Sequence, residues 1–368
     1  MQQTQNNLTL QKILIRRKAA LGDVLLATSV LQPLKNRFPD FDIDFATDFP
    51  EILEKNKFIK NILPTTVPDT GYANIYNLDL AYELRPHCSI LESYAAVIGI
   101  PITDLRLSVD IPDMAKQQAT QLLNSRGILN NTPLIALQTA ASFWVKNWPI
   151  NAYQKVTDDL RSQLGVQPLV LGSLSDPILE GSIDLRGATD IMTSIAILYR
   201  CCAFIGVDSF LLHCAKIIGI PVAAFFGHSD PNLRIIIGTK DLIFTSDIEC
   251  RFCHHRLKPP AITTICRKQN VLLQIMDTLF QKLQQFYYFN YSRLLTRMIN
   301  FFWHLIEWRE KGKVIAPCMK RITPECVSPK IIRWLRDIIS HSERNPLGQS
   351  DPASYDIINA VIQDNGHK

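Results

Sequence analysis

The sequence lacks an apolar stretch long enough to cross a bilayer. The best candidate, LLTRMINFFWHLIEW, is interrupted by Arg297, Asn300, His304 and Glu307, whereas a transmembrane helix needs about 20 consecutive, mostly apolar residues. The opening residues, MQQTQNNLTLQK, are polar and lack the apolar core of a signal peptide. We therefore expect a protein that is not exported and that works in the cytoplasm.

A strong charge imbalance is also missing. The 368 residues carry a formal net charge of only +5, and residues 284–368 contribute most of it, with 12 Lys and Arg against 8 Asp and Glu. This excess is too small to predict nucleic-acid binding, because such partners select strongly basic surfaces. It suits an anionic membrane face better, so peripheral contact with the cytosolic face of an inner membrane stays open.

The chain also lacks the fingerprint of a dinucleotide-binding dehydrogenase. The first strand, KILIRR, runs into KAALGD, which does not have the G-x-G-x-x-G spacing, and no acidic residue is placed as that fingerprint requires. A Rossmann dehydrogenase is therefore disfavoured, although the strand, Gly-containing turn and following helix still begin a βαβ unit.

Short apolar strands alternate with helical segments along two stretches of the chain. In the first, strands are predicted at KILIRR, FDIDFAT, KNILP and NIYNLDLAY, and helices at VLLATSVLQPLKNRF, EILEKNKFI and LESYAAVIGI. The second stretch runs from PLIALQT to IPVAAFF. Such alternation is typical of α/β domains with parallel sheets. The polar segment near residues 127–133 is a predicted joint between them.

We therefore predict an α/β protein with two Rossmann-like domains that face a cleft, at residues 11–127 and 133–270. A helical, aromatic-rich insertion and a C-terminal helix follow at residues 271–345, and this extension also contains cysteine. Residues 346–368 form a polar tail that we expect to be poorly ordered. The insertion is either a helix packed on the domains or an interfacial helix resting on an anionic membrane.

The segment from Phe204 to Pro231, FIGVDSFLLHCAKIIGIPVAAFFGHSDP, predicts strand, loop, helix, strand and loop. Ligands of open parallel sheets bind beyond the carboxyl ends of the strands, so the two loops are the predicted binding site. Asp208 and Ser209 suit helix N-caps, and the same helix start could bind an anion. The other candidates in this segment are His213, Gly227, Ser229 and Asp230.

Gly22 and Asp23 lie where the first strand passes into its helix. One interpretation is that Gly22 makes the turn and Asp23 caps the helix. The other is that Asp23 faces the cleft as a general base that takes a proton from an acceptor hydroxyl. Position alone does not separate the two.

Lys146 lies in SFWVKNWP, directly after a strand of the second series. It is either a solvated surface residue beside a packed Trp148-Pro149 helix start, or a cation that neutralises a phosphate leaving group. Thr139 and Ser142 could add hydroxyl donors in the same loop.

Nine cysteines in a cytoplasmic protein favour thiols or metal ligands over disulfides. Cys250 and Cys253 form a C-x2-C pair, followed by Cys266 and, much later, Cys318. His254 and His255 stand beside the pair. Free thiols or a structural zinc site are the two interpretations, because a zinc site usually has two closely spaced pairs.

Together these segments resemble glycosyltransferase family 9, the bacterial ADP-heptose:lipopolysaccharide heptosyltransferases and their relatives. The likeness covers residues 11–266, with a further patch at CMKRITPECV. RKAALGDVLLATSVLQPLKNRFPDFDIDFAT looks like the first βαβ segment of the family. ALQTAASFWVKNWP looks like its H-P-G-A-S…K-x-W-P loop, and the segment from Phe204 to Pro231 is similar to its D-S/T-G-x-x-H…G-x-T-D-P segment.

The resemblance implies a GT-B fold in which the first domain binds the acceptor and the second binds a nucleotide sugar. It implies inverting transfer with no metal or other cofactor in catalysis, from an ADP-linked heptose to a lipopolysaccharide-core-type or other glycolipid or oligosaccharide acceptor. Asp23 is then the base, and Lys146 supports the diphosphate. Asp208 and Ser209 hold the donor, and His213 supports their loop.

The sequence departs from the family pattern at two places. Gln138-Thr139-Ala140 replaces His-Pro-Gly, and Phe210 replaces the Gly after Asp208-Ser209. A side chain at position 210 would crowd a phosphate at the helix start or reshape the site for another donor. A transferase with a different donor or a protein acceptor, and a silent nucleotide-sugar-binding scaffold, are the alternatives.

Overall fold

A computed structural model describes residues 11–129, 132–256, 266 and 315–344. Its first sheet is four-stranded and parallel, in the order β3-β2-β1-β4. The strands are β1 (Lys12–Arg16), β2 (Asp42–Ala46), β3 (Asn61–Leu63) and β4 (Asn74–Asn77). The helices of this part are α1 (Leu21–Ala27), α2 (Leu31–Arg37) and α3 (Ile90–Ile98).

The second sheet is six-stranded and parallel, in the order β10-β9-β8-β5-β6-β7. Its strands are β5 (Ile135–Leu137), β6 (Leu169–Val170), β7 (Ile183–Asp184), β8 (Ala203–Val207), β9 (Val222–Phe226) and β10 (Leu242–Thr245). The helices are α4 (Asp113–Ser125), α5 (Ile150–Leu164), α6 (Ile191–Tyr199) and α7 (Phe210–Ile217).

Both sheets are doubly wound, which confirms the predicted α/β fold with two Rossmann-like sheets. Numbered within its own unit, the second sheet has the strand order 3-2-1-4-5-6 of a Rossmann sheet. The strand order reverses between β5 and β8, and in the first sheet between β1 and β4. Ligands bind at such reversals, and the loops after these four strands carry the candidate residues.

Local sequence explains where the elements begin and end. Ser89 caps α3 by accepting the Glu92 N–H at 3.1 Å, and the Glu92 carboxylate accepts the Ser89 N–H in return. Gly99 then ends the helix in the left-handed region, at φ 73°. The strands are continuous apolar runs because both faces of the sheet are covered. Ile13 and Leu14, adjacent residues of β1, are both fully buried.

Two predicted elements are shorter than expected. The helix predicted at residues 51–59 is only a 3₁₀ turn, Pro50–Ile52, because the Asn56 side chain accepts the Phe58 N–H and turns the chain. The strand predicted from residue 74 stops at Asn77, whose side chain accepts the Asp79 N–H. The two-residue β7 and the four-residue β10 were not predicted.

Helix α4 lies with the second sheet. Its residues Ala115, Ala119 and Leu123 are buried in the core, and Thr193 of α6 donates a hydrogen bond to the side chain of Gln118 at 3.1 Å. The helix before the predicted joint therefore packs on a helix after it.

The C-terminal part of the described chain has two helices, α8 (Pro317–Lys320) and α9 (Pro324–Arg344). The predicted amphipathic helix is thus present: α9 buries Val327, Ile331 and Leu335, and Ser328 donates to Asp159 of α5 at 2.6 Å. The predicted insertion up to residue 314 and the tail from residue 346 lie outside the described residues, so the interfacial helix stays a prediction. Within the described ranges, no helix has the length and apolar content needed to span a membrane.

Trp148 anchors this segment to the second domain. It is fully buried, stacks on Phe225 with 4.0 Å between ring centroids, and donates its indole N–H to the Ile322 carbonyl at 2.7 Å. Pro149 directly after it occupies the N-cap position of α5, so the packing interpretation of this pair is confirmed.

We predict that Trp148→Phe lowers the free energy of unfolding by about 1–3 kcal/mol, because it leaves a buried carbonyl without a donor. Trp334→Phe is the matched control, since the Trp334 indole also donates to a carbonyl, that of Lys240 at 2.7 Å, but this hydrogen bond is exposed to solvent. Urea denaturation of both variants measures the difference. Equal losses would contradict the assigned role of Trp148.

Candidate active site

The Asp208 carboxylate, at the end of β8, joins three loops of the second domain. Its Oδ2 lies 2.8 Å from Lys146 Nζ and accepts the Ser229 hydroxyl at 2.7 Å. Its Oδ1 lies 3.7 Å from His213 Nε2. Burial raises the pKa of Asp208, but the charges of Lys146 and Arg234 outweigh burial and hold that pKa far below its usual range. The carboxylate is therefore ionised at neutral pH.

Ser209 occupies the N-cap position of α7, but it does not cap the helix through its side chain. Its hydroxyl donates instead to the side-chain oxygen of Gln138. Gln138 directly follows β5, the strand that neighbours β8 in the sheet. The predicted Asp208 cap is also not made, because that carboxylate is bound to Lys146 and Ser229. Phe210, the first residue of α7, packs its partly buried ring against the core.

Asp23 is the third residue of α1 and not its N-cap, because the helix begins at Leu21 and Gly22 lies within its first turn. Its Oδ2 accepts hydrogen bonds from Arg17 Nη2 at 2.7 Å, from the Ala20 N–H at 3.2 Å and from the Tyr82 hydroxyl at 3.2 Å. Within the described residues, no hydrogen bond reaches Oδ1. Burial raises the pKa of Asp23, yet Arg17 outweighs burial, so the net pKa is lowered.

The sites of the two domains meet at Gly22. A Cβ atom at this position would lie 3.1 Å from His213 Cδ2 and 3.6 Å from Phe210 Cα, so a side chain here would press on the His213 ring and contact the start of α7. His213 is buried. Burial lowers its pKa, and the carboxylates of Asp208 and Asp23 both oppose that change. The predicted base and the predicted donor loop are therefore neighbours.

Four charged or aromatic residues of the site were not predicted from sequence. Arg234 lies 4.7 Å from the Tyr82 ring centroid, and Arg17 lies 5.3 Å from the same ring. Glu83 Oε1 lies 3.6 Å from Arg17 Nη2. Arg17 follows β1, and Tyr82 and Glu83 lie beyond β4. The rule that ligands bind where strand order reverses could therefore have found these three.

Three buried imidazoles form a row beside this network, which we name the histidine row: His228, His254 and His255. Adjacent ring centroids are 5.1 Å apart in both pairs. His255 Nδ1 donates to the Pro86 carbonyl at 2.7 Å, which connects the row to the first domain. Burial lowers the pKa of His228 to about 3 and that of His255 to about 4, so these rings are neutral.

The remaining predicted residues are more distant from the charged network or have partners elsewhere. The Thr139 hydroxyl is buried and donates to the Pro177 carbonyl at 2.9 Å, and Ser142 is exposed. Asp230 caps the 3₁₀ turn that follows it, accepting the Asn232 N–H at 3.0 Å. A Cβ atom on Gly227 would lie 2.7 Å from Cys318 Sγ, so this glycine makes room for the C-terminal segment.

The four predicted metal-binding cysteines lie near one another. Burial and then the thiols of Cys253, Cys266 and Cys250 raise the pKa of Cys318 to about 12, which places all four in one neighbourhood. Among the residues that the structure describes, however, no three His, Cys, Asp or Glu side chains are arranged as ligands of one ion. The choice between thiols and a structural metal therefore remains a prediction.

Comparison with known proteins supports the family resemblance. The sequence model of glycosyltransferase family 9 (heptosyltransferase) matches residues 86–261, which include Lys146, Asp208 and the histidine row. Lipooligosaccharide heptosyltransferase 2 of Haemophilus influenzae is 25% identical over 147 residues, covering 36% of this chain and 42% of the relative. The chain thus aligns with less than half the length of that protein.

Two solved structures share the fold. ADP-heptose lipopolysaccharide heptosyltransferase II of Escherichia coli has a TM-score of 0.55 at 15% identity, covering 90% of this chain and 99% of its own. The iron-containing dodecameric glycosyltransferase TibC of enterotoxigenic E. coli has a TM-score of 0.54 at 16% identity, covering 67% of this chain and 65% of its own. These matches confirm the predicted GT-B architecture.

We predict that Lys146 and Asp208 are energetically coupled. Lys146→Met should destabilise the protein by roughly 3 kcal/mol, because it leaves a buried carboxylate without its main counter-charge. Adding Asp208→Asn should recover about 1–2 kcal/mol of that loss. Chemical denaturation of the two single variants and the double variant measures the coupling, and strictly additive losses would contradict it.

The pKa of Asp208 also predicts how the stability of the fold changes with pH. The folded-state pKa of Asp208 lies below its unfolded value, so its contribution is complete above the ordinary carboxyl range and declines as pH falls toward the folded value. Lys146→Met removes the main charge that lowers this pKa, so the variant should lose less stability than the wild type as pH falls through the carboxyl range.

Proposed function

Starting from the glycosyltransferase family 9 segment at residues 86–261, we propose that the chain is an inverting glycosyltransferase. It transfers a sugar, heptose in the first instance, from a nucleoside-diphosphate donor to a lipopolysaccharide-core-type glycolipid. The observation that carries the proposal is the meeting of the two switch-point sites at Gly22, where the first turn of α1, which also carries Asp23, contacts α7 of the second domain.

Asp23 has the geometry of a general base. Arg17, Ala20 and Tyr82 all bind Oδ2 and so fix the orientation of the carboxylate, which leaves Oδ1 for the hydroxyl of an acceptor. Because Arg17 lowers the pKa of Asp23 against the effect of burial, the carboxylate is ionised at neutral pH, which is the protonation state that a general base needs.

The reaction then balances in one displacement. The acceptor oxygen forms a bond to the anomeric carbon while the bond from that carbon to the phosphate oxygen breaks. The electron pair of the broken bond goes to the departing diphosphate, and the acceptor proton goes to Asp23 Oδ1. Attack from the face opposite the leaving group inverts the anomeric configuration.

The second domain offers cations and free N–H groups for the diphosphate. Lys146 uses one donor on Asp208, and an ammonium group has three. The first N–H groups of α7 have no side-chain cap and carry the positive end of the helix dipole. In this proposal Asp208 and Ser209 hold these groups in place, and His213 supports the same loop.

The donor is an ADP-linked sugar in this proposal. TibC has been solved with ADP-D-β-D-heptose, and E. coli heptosyltransferase II is an ADP-heptose enzyme by its name. A protein acceptor is the second candidate. The work of the chain would take place at the cytosolic face of the inner membrane, where a glycolipid acceptor is presented.

Catalysis requires no metal in this proposal, but Cys250, Cys253, Cys266 and Cys318 have the donor chemistry of one structural zinc or iron ion, since four thiolates suit tetrahedral sites of both. TibC is iron-containing by its title. A bound ion would fasten the loop after β10 to α8, beside Gly227.

We predict that Asp23→Asn lowers turnover by about 10²–10⁴-fold, the usual contribution of a general base, while leaving donor binding nearly unchanged. Release of the nucleoside diphosphate measures turnover, and thermal shifts with ADP-, GDP-, UDP- and dTDP-linked sugars measure binding. Asp69→Asn is the control, because Asp69 is an exposed partner of Arg16 in the same domain. Turnover retained in Asp23→Asn would exclude it as the base, and binding without turnover in the wild type would favour a silent scaffold.

Metal content separates the two interpretations of these cysteines: one equivalent of zinc or iron that Cys250→Ser loses, together with a lower melting temperature, would establish a bound ion. Elemental analysis of protein prepared without chelators under reducing conditions gives the metal content. Cys326→Ser is the control, because Cys326 is exposed and lies outside the set. A wild-type metal content near zero would leave the four residues as free thiols.

A further inference from the structure

The histidine row contains a concentration of buried polar atoms that have no partner. Both ring nitrogens of His228, both of His254 and Nε2 of His255 are buried and make no hydrogen bond within the described part of the chain. The exposed fraction of these residues is between 2% and 8%. Buried polar atoms nearly always have partners, so five unpartnered nitrogens in one row mark a place where a bound polar molecule would find hydrogen-bond partners.

The row runs from the domain junction into the loop after β9. His255 binds the Pro86 carbonyl of the first domain. His254 donates its backbone N–H to the His228 carbonyl at 3.2 Å, and His228 directly precedes Ser229, which binds Asp208. The unpartnered nitrogens therefore extend along the path between the first domain and the proposed diphosphate site.

The row offers both hydrogen-bond donors and hydrogen-bond acceptors, a combination that suits hydroxyl groups. A carbonyl oxygen only accepts hydrogen bonds, so the bond to Pro86 places the proton of a neutral His255 on Nδ1 and leaves Nε2 as an acceptor. An acceptor nitrogen cannot bind a phosphate oxygen, which also only accepts. His228 and His254 each supply one donor and one acceptor, and a sugar hydroxyl satisfies both kinds.

We propose that the histidine row hydrogen-bonds the hydroxyl groups of the sugar that is transferred, and so sets which donor sugar the site accepts. The proposal rests on the proposed function. It assigns the row to the donor and not to the acceptor because His228 lies in the loop of Ser229, and that loop holds Asp208 and through it Lys146. Because the row is buried, the proposal requires the domains to separate at the His255–Pro86 bond before the sugar enters.

The test compares pairs of ligands that differ only in the sugar: ADP against ADP-D-β-D-heptose, and UDP against UDP-glucose, each titrated by calorimetry into the full chain. In the wild type one nucleotide sugar should bind more tightly than its nucleoside diphosphate. His228→Phe and His254→Phe should each weaken binding of that nucleotide sugar by about tenfold, as expected for lost hydrogen bonds, and leave the nucleoside diphosphate unchanged.

Stability separates binding from a structural role. Phe has a ring of similar size and removes unpartnered nitrogens, so His228→Phe should keep or raise the melting temperature of the ligand-free protein. His228→Gln, which retains a donor and an acceptor, should recover part of the lost affinity. His87→Phe, at an exposed position, is the matched control and should change neither affinity.

Equal affinity of the wild type and His228→Phe for the nucleotide sugar would overturn the proposal and leave the proposed function standing. A change in the KM of the acceptor alone, or a parallel loss of nucleoside diphosphate binding, would also overturn it. Failure of the wild type to bind any of the four ligands would remove the ADP-linked donor of the proposed function, and this proposal with it.

Discussion

The arrangement of the second domain depends on one buried charge. Asp208 stands at the end of β8 with only 4% of its surface exposed, and an ionised carboxylate at such a position is tolerated only when it is paired and hydrogen-bonded. Lys146 from the loop after β5 and Ser229 from the loop after β9 supply those partners. The need to neutralise Asp208 thus holds together the three loops that surround the switch point.

In the first domain the central buried charge is a cation, the guanidinium of Arg17, instead of a carboxylate. Arg17 is buried, and its Nη2 lies 2.7 Å from Asp23 Oδ2 and 3.6 Å from Glu83 Oε1, so one cation pairs with two carboxylates. Burial raises the pKa of Glu83, and the nearness of Asp23 raises it further although Arg17 opposes both. The pKa of Asp23 is lowered, so the two carboxylates have different affinities for protons although they share a partner.

The architecture could be predicted from the sequence because an α/β protein repeats one local unit, a buried strand followed by a helix. Buried strands such as Ala203–Val207 have continuous apolar runs, and a helix such as α3 carries both its capping residues and its terminating Gly99. The predicted site residues Asp23, Lys146, Asp208, Ser229 and His213 are brought together because each lies beyond the carboxyl end of a strand or on the helix that follows.

What the sequence did not predict depends on contacts between distant segments. Arg234 and Tyr82 are 152 positions apart, and no local pattern shows that a guanidinium will stack on that ring. Tertiary contacts also decide two other features. The Ser209 hydroxyl binds Gln138 instead of capping its helix, and Gly227 packs against Cys318. Local propensity predicts that a residue can cap or turn, but a partner from elsewhere decides whether it does.

The close contact at Gly22 has a kinetic meaning. Because α1 and α7 touch where the acceptor and the donor of the proposed reaction would meet, the two domains would have to move apart before either substrate enters. Opening would then be a unimolecular step that precedes binding, and the observed association rate would level off as ligand concentration rises instead of increasing in proportion to it. The glycine that allows the two helices to touch would therefore also help to set the pace at which substrates are admitted and products leave.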